Sequence, residues 1–344
     1  MTNLTPSLQK NMKQNNKMPL LEIKDLVVDY PTSEGNVRAV DQVSLSLYPG
    51  ESLGLVGESG CGKSTLGFAI LRLLKGGVIR TGSIMFNGKD LAQLTEDQMR
   101  EIRGAKISMV FQASQNALNP LQKVSQHFIK TLRVHEKWSE DEWNAVLELL
   151  HRLEIPESRV NDYPFQFSGG MQQRMVIALS LLLQPKLIIA DEPTTALDVL
   201  VQARILQLLK DLKEEFDLTM MLITHDLGVV AEITQRVAIM YAGQILEVGD
   251  TTMIFQKPNH PYTRGLIKAI PNVKDESQKQ LAFIPGHPPD LKNLPRGCRF
   301  ADRCSFTIEI CREQMPQLLK YSSENGSENL VRCYMYDDRY ANQF

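Results

Sequence analysis

Two short segments of this 344-residue sequence combine residue types that could do phosphate chemistry. The first is Gly57-Glu58-Ser59-Gly60-Cys61-Gly62-Lys63-Ser64-Thr65. Glycines at this spacing let successive backbone N–H groups turn inward around anionic oxygens. A helix opening at Lys63 would aim its positive dipole end at the same anion. Lys63 would neutralise β- and γ-phosphates, and Ser64 would ligate Mg2+. The second segment, Leu187-Ile188-Ile189-Ala190-Asp191-Glu192, is an apolar run ending in two carboxylates. A strand ending there puts Asp191 at the carboxyl edge of an open sheet, where such sheets bind ligands. Asp191 would hold Mg2+, directly or through water, and Glu192 would polarise an attacking water. Alone, the acidic pair could be two solvated loop residues. Beside the glycine loop it reads as the second half of one nucleoside-triphosphate site.

The surrounding pattern supplies elements that could hold both halves. From Leu21 to Tyr30 and from Val43 to Leu47 apolar and polar residues tend to alternate, as in half-buried strands. Gly35-Asn36 and Pro49-Gly50 are expected turns. Ser52 to Val56 reads as a buried strand running into the loop. A helical pattern follows, with Leu66, Ile70, Leu71, Leu73 and Leu74, ending at Gly76-Gly77. Beyond Pro120 the chain is helix-rich. Ser139 and Glu142 form a capping-box pattern, with Trp143, Val146, Leu147, Leu150 and Leu153 on one helical face. Leu187–Ala190 and Met220–Ile223 are solidly apolar, as in a parallel sheet covered on both faces. Between them Val201, Ile205, Leu208, Leu209, Leu212 and Phe216 repeat at helical spacing. Strand, helix, strand predicts an α/β core.

Composition narrows the class. Hydrophobic residues make up 43% and charged residues 23%, which excludes disorder, collagen and coiled coil as the main architecture. A net charge of −2 provides no global basic field for nucleic acid or an acidic membrane. The longest apolar run, Met175 to Leu183, is well short of the roughly 20 residues of a spanning helix. Residues 1–20 are polar, lack a signal-peptide centre and are expected to form a disordered tail. These features predict a soluble chain whose membrane role, if any, is peripheral.

Phe167-Ser168-Gly169-Gly170-Met171-Gln172-Gln173-Arg174 is a second anion-binding helix start, about 105 residues beyond Lys63. One chain has little use for two such sites on one phosphate. A dimer uses both if each chain's second site completes the other's first. In this company the segment resembles the signature of the ABC ATPases, which the chain is similar to from about residue 21 to 255. The resemblance implies a RecA-like core with an antiparallel β subdomain and a helical subdomain. It also implies roles for further residues. Tyr30 would stack on adenine. Gln112, in Val-Phe-Gln, would sense Mg2+ and water at the surface gripped by the membrane subunits. Asp198, in Ala-Leu-Asp, would cross to the partner chain, and His225, in Ile-Thr-His-Asp, would contact the γ-phosphate. Phe167 and Met171 depart from the commonest version, which has Leu and Gln there; no loss of activity is expected. ATP hydrolysis in a head-to-tail dimer follows from the resemblance. A soluble ABC ATPase acting on DNA or ribosomes is the weaker reading, because no long coiled coil and no second cassette is present.

After about Phe255 prolines cluster and periodicity weakens, so residues 256–344 read as a small appended domain. His260-Pro-Tyr-Thr263, Pro285-Gly-His-Pro-Pro289 and Gly297-Cys-Arg-Phe-Ala-Asp-Arg-Cys304 resemble the carboxyl-terminal extension of oligopeptide and dipeptide importer ATPases. That resemblance implies peptide import, with nickel, glutathione or oligosaccharide as the alternative solute. The implied partners are two transmembrane permease subunits, a second related ATPase (a heterodimer is favoured) and an extracytoplasmic solute-binding protein, with no nucleic acid. The implied place is the cytoplasmic face of a prokaryotic cell membrane. Cys298, Cys304, Cys311 and Cys333 are spaced C-x5-C-x6-C-x21-C. Disulfides are disfavoured in a cytosolic chain, so four-thiolate metal ligation is the leading reading, with unligated thiols as another. Zinc and an iron–sulfur cluster both suit such a donor set, and the spacing matches neither zinc ribbons nor ferredoxins. Family resemblance favours a 4Fe–4S cluster, with Zn2+ as the alternative.

Overall fold

The structure, a computed structural model, describes residues 18–112, 117–195, 197–270, 283–322 and 328–344. Most of the expected amino-terminal tail and Ala196 lie outside these. Twelve strands are described, and they form two sheets. β1 (Leu21–Thr32) and β2 (Gly35–Leu47) form a long antiparallel hairpin. Its turn is Ser33-Glu34, two residues ahead of the expected one, because Gly35 already pairs with Thr32. β3 (Ser52–Val56) starts the main sheet. β4 (Val78–Phe86) and β5 (Lys89–Asp90) return to the hairpin, giving the order β2-β1-β4-β5.

The main sheet adds β6 (Ile107–Val110), β7 (Leu187–Asp191), β8 (Thr219–Thr224), β9 (Arg236–Tyr241) and β10 (Gln244–Asp250). β11 (Leu319–Ser322) and β12 (Glu328–Val331) complete it in the order β11-β12-β10-β9-β3-β8-β7-β6. Pairing is parallel from β9 through β3, β8 and β7 to β6, and antiparallel beyond β9. The parallel strands are continuously apolar because both faces are covered. Leu187 and Ile189 of β7 pack toward the antiparallel sheet, in one core with Leu26, Val43 and Leu66. Ile188 and Ala190 turn the other way, into a helical core with Phe128, Leu150 and Ile177.

Helix Lys63–Ile70 leaves the loop after β3 and stops before Leu73 and Leu74, because Arg72 adopts φ 52°. Ser139 caps Glu140–Arg152, its hydroxyl accepting the Glu142 N–H at 3.1 Å. Val146, Leu150 and Leu153 are buried as the periodicity predicts. No helix among the described residues is long and apolar enough to cross a membrane.

The carboxyl-terminal segment joins the main sheet through β12, which pairs with β10 at Glu247–Val331 and Val248–Leu330. The buried Glu247 carboxylate accepts the Asn259 N–H at 2.7 Å and the His260 N–H at 3.0 Å, which anchors the start of helix Pro261–Lys268.

Candidate active site

β3, flanked by β8 and β9, delivers Gly57 to the carboxyl edge of the main sheet. The loop that follows fits only around glycine at two points. A Cβ at Gly57 would lie 2.0 Å from the Met240 carbonyl oxygen. At Gly62, where φ is 106°, it would lie 2.1 Å from the Ala39 carbonyl oxygen. Glu58, Ser59, Gly60 and Cys61 span the interval, and Ser64 and Thr65 open the helix after Lys63. The Lys63 ammonium donates to the carbonyls of Gly57 (2.8 Å) and Glu58 (2.9 Å), so a buried cation sits inside the loop.

β7 ends on the same edge. The Ser64 hydroxyl donates to Asp191 Oδ1 at 3.1 Å, joining the two segments that sequence placed 127 residues apart. Among the described residues nothing donates to Asp191 Oδ2, although that atom is buried. Burial pushes the Asp191 carboxyl up to about 6, with the Ser64 hydrogen bond opposing and the Glu192 charge reinforcing the shift. A buried carboxylate oxygen without a donor, beside a serine hydroxyl, suits a divalent cation.

Glu192 is the centre of a second constellation. Its Oε2 accepts from Gln112 Nε2 (2.9 Å) and from the Thr195 hydroxyl (2.9 Å), and its Oε1 lies 2.9 Å from His225 Nδ1. Burial alone would raise the Glu192 pKa. The hydrogen bonds from His225 and Thr195 outweigh it, so the carboxyl stays below its ordinary range and ionised at neutral pH. Gln112 follows β6 and His225 follows β8, so three neighbouring parallel strands converge on one carboxylate. Thr195 has no place in the sequence expectations. It lies in the Pro-Thr-Thr turn after Glu192, and its role depends on how that turn folds back.

The other expected residues lie elsewhere on the chain. Tyr30, near the end of β1, is half-buried with its ring against Gly77. Ser168 caps helix Gly169–Leu181, its hydroxyl accepting the Met171 N–H at 3.4 Å. Gln172 Nε2 donates to the carbonyls of Pro164 (2.8 Å) and Phe167 (3.2 Å), bracing the turn that precedes the cap. The two unusual residues share one partner. The Arg159 guanidinium stands 4.1 Å over the Phe167 ring, and its Nη1 lies 3.9 Å from Met171 Sδ. Asp198 caps helix Val199–Glu215 through the Val201 N–H at 2.9 Å, beside the exposed Val199 and Leu200.

Residues 40–195 match the family model described as ABC transporter, and residues 246–311 match the one described as Oligopeptide/dipeptide transporter, C-terminal region. Over 308 residues the chain is 48% identical to the oligopeptide transport ATP-binding protein OppD of Bacillus subtilis (strain 168), covering 88% of this chain and 86% of that one. The chain belongs to the ATP-binding subunits of ABC transporters. Over 300 residues it is 45% identical to OppD of Escherichia coli (strain K12), covering 86% of this chain and 89% of that one. Among solved structures it is similar to a dimeric ATP-binding cassette, MJ0796, in a post-hydrolysis state bound to ADP and Pi. The TM-score is 0.60 at 32% identity, over 67% of this chain and 98% of that one. The fold is that of a P-loop ABC ATPase, and the chain is an ATPase of that type.

The expected 4Fe–4S cluster, and the zinc alternative with it, do not survive. Among the described residues no group of three or more His, Cys, Asp or Glu is arranged to hold a metal ion, and the curated relatives above are named only as transport ATPases. Cys298, Cys304, Cys311 and Cys333 are free thiols lining one small cavity with Pro261, Phe300 and Tyr334. Burial pushes Cys298 and Cys333 up to about 12, and their thiol neighbours add to it. Set in that small cavity, the four side chains pack as small hydrophobic groups.

Proposed function

We propose that this chain is the ATP-hydrolysing subunit of a membrane importer of peptides. The observation that carries the chemistry is the Glu192 carboxylate, ionised and held by Gln112, Thr195 and His225, one residue beyond the Asp191–Ser64 pair. The peptide solute is supported by the OppD relatives and by the match of residues 246–311 to the oligopeptide/dipeptide transporter C-terminal region.

In this reading the loop Gly57–Thr65 binds the phosphates of ATP, with Lys63 supplying positive charge to the β- and γ-phosphates and Tyr30 stacking on adenine. Ser64 and Asp191 hold Mg2+, with Gln112 bordering it; when bound, the ion neutralises phosphate oxygens. Glu192 accepts a proton from water as the water oxygen bonds to the γ-phosphorus and the bond to the ADP oxygen breaks. ADP and inorganic phosphate leave. His225 contacts the γ-phosphate and holds Glu192 in place. Ser168, Gly169 and Gly170, with Met171 and Gln172, present their helix start to the partner's ATP, and Asp198 reaches across the dimer.

Residues 21–255 form the ATPase domain and 256–344 the appended domain. The subunit works peripherally at the cytoplasmic face of a prokaryotic cell membrane. It drives two permease subunits beside a related but different ATPase, and a solute-binding protein delivers the peptide.

The test uses the assembled transporter. The tagged chain, purified from gently solubilised native membranes, should bring down two multi-spanning proteins and a second ATPase. In that complex Glu192→Gln should bind ATP as the wild type does and lose at least about 99% of turnover, matching a loss of general-base catalysis on the order of 10²–10⁴. Near-wild-type hydrolysis would remove Glu192 from its role, and recovery with ribosomal or DNA-bound proteins alone would overturn the transporter reading.

A further inference from the structure

Glu58, the second residue of the phosphate loop, is held through all three of its polar parts, and two of the three partners come from the carboxyl-terminal segment. Its carbonyl accepts from Lys63 within the loop. Its N–H donates to the Tyr262 hydroxyl at 3.1 Å. Its carboxylate takes Arg303 Nη1 on both oxygens, at 3.0 and 2.9 Å. The Arg303 side chain is only 6% exposed and is itself fixed: Nη1 reaches the Tyr241 hydroxyl, Nε donates to the Pro285 carbonyl and Nη2 to the Ile284 carbonyl. Beneath it Tyr241, Tyr262 and Phe300 pack ring against ring with centroids 4.6–5.5 Å apart. Tyr241 follows Met240, whose carbonyl walls Gly57.

We propose that Arg303 and Tyr262 are positioning residues for nucleotide binding, acting through Glu58; the proposal rests on the loop being an ATP site. An acidic side chain next to a polyphosphate repels it unless its charge is neutralised or turned away. Arg303 does both. Tyr262 engages the Glu58 N–H, so the backbone at that residue is set by the appended segment. The extension is therefore a working part of the ATP site, and a change in its packing is transmitted to nucleotide affinity.

The experiment is a double-mutant cycle in the full-length chain, read by titration with a fluorescent ATP analogue and by steady-state hydrolysis in the assembled transporter. Arg303→Gln should weaken nucleotide binding about tenfold, a loss of about 1.4 kcal/mol. It should raise KM for ATP while kcat at saturation stays within about threefold. In a Glu58→Gln background, where there is no charge to neutralise, Arg303→Gln should change affinity by less than about twofold. Arg303→Lys should recover part of the loss. If Arg303→Gln does not fold, Tyr262→Phe, which removes only the hydroxyl, should weaken binding about threefold. Unchanged affinity in the single variants, or an equal loss from Arg303→Gln in the Glu58→Gln background, overturns the proposal. A wild-type chain that binds no ATP overturns the underlying assignment of the loop instead.

Discussion

Glu192 has φ 46°, in the left-handed region where a side chain costs on the order of 1 kcal/mol or more. Its N–H bonds the Ile223 carbonyl at 2.8 Å, so the strained backbone is tied to β8 while three side chains hold the carboxylate. Thr195 is the partner whose loss is easiest to read, because its hydroxyl can be removed without changing shape. Thr195→Val should lower kcat about tenfold or more, matching the roughly 1.5–3 kcal/mol of one hydrogen bond to a charged group, with KM for ATP within about twofold. Steady-state kinetics decide it: a raised KM with unchanged kcat would make Thr195 part of nucleotide binding instead. Sequence reached Glu192 from an apolar run ending in two carboxylates, and Gln112 and His225 from their resemblance to family motifs. It did not reach Thr195, whose contribution comes from the fold of the turn.

The helix that Ser168 caps is set by close approach to its neighbour. A Cβ at Gly170 would stand 2.7 Å from Val201 Cγ1, inside contact distance. Gly170→Ala should therefore destabilise the chain by about 1–3 kcal/mol through overpacking, and Val201→Ala should restore much of that loss. Denaturant unfolding of the two singles and the double checks this, and additive losses would show that the helices do not meet there. The same pair shows what patterning can reveal. Val201 reads as a helical apolar position from spacing alone, but nothing in spacing shows that it abuts the second signature glycine. Strands were legible where their interiors are apolar, as at β3, β7 and β8, or where apolar and polar residues alternate, as in β1 and the end of β2. β10 was not, because it buries Gln244 and Glu247, and two polar residues in a run read as surface until their partners are known. Glu247 is satisfied by N–H groups twelve and thirteen residues away, a pairing that only the folded segment creates.

Across the whole molecule the appended segment carries a titrating load. His260 is 1% exposed, and burial, with Arg264 nearby, pushes its pKa down to about 3. The unfolded chain takes up that proton near pH 6.5, so His260 contributes its stability above 6.5 and loses it progressively as pH falls toward 3. The slope from this one group is at most about 1.4 kcal/mol per pH unit. His260→Asn keeps a side-chain oxygen for the Tyr262 N–H that His260 Nδ1 now accepts. The variant should be less stable at pH 8, from lost packing, yet show a shallower fall in thermal midpoint between pH 6.5 and 5. Parallel curves would place the acid sensitivity elsewhere. The four cysteines mark the limit of composition as a guide at this scale. Their count and clustering pointed to a metal, whereas all four line one small cavity, with Cys311 and Cys298 in the apolar cluster beside it. Arg303 and Glu58, 245 residues apart, carry no joint signal in sequence.

The strand order also fixes a timetable. β3 is made early, yet its partners are Thr219–Thr224 on one side and Arg236–Tyr241 on the other. At a synthesis rate of about 5–20 residues per second, the interval between making the strand and making its neighbours is on the order of ten to thirty seconds. Through that interval β3 cannot form its ladder, and Val56 lacks its core neighbours Leu227, Val230 and Val237. The segment that leads into the glycine loop is thus the one a nascent chain must keep sheltered longest, and the amino-terminal hairpin, complete by residue 47, is the first cover available to it.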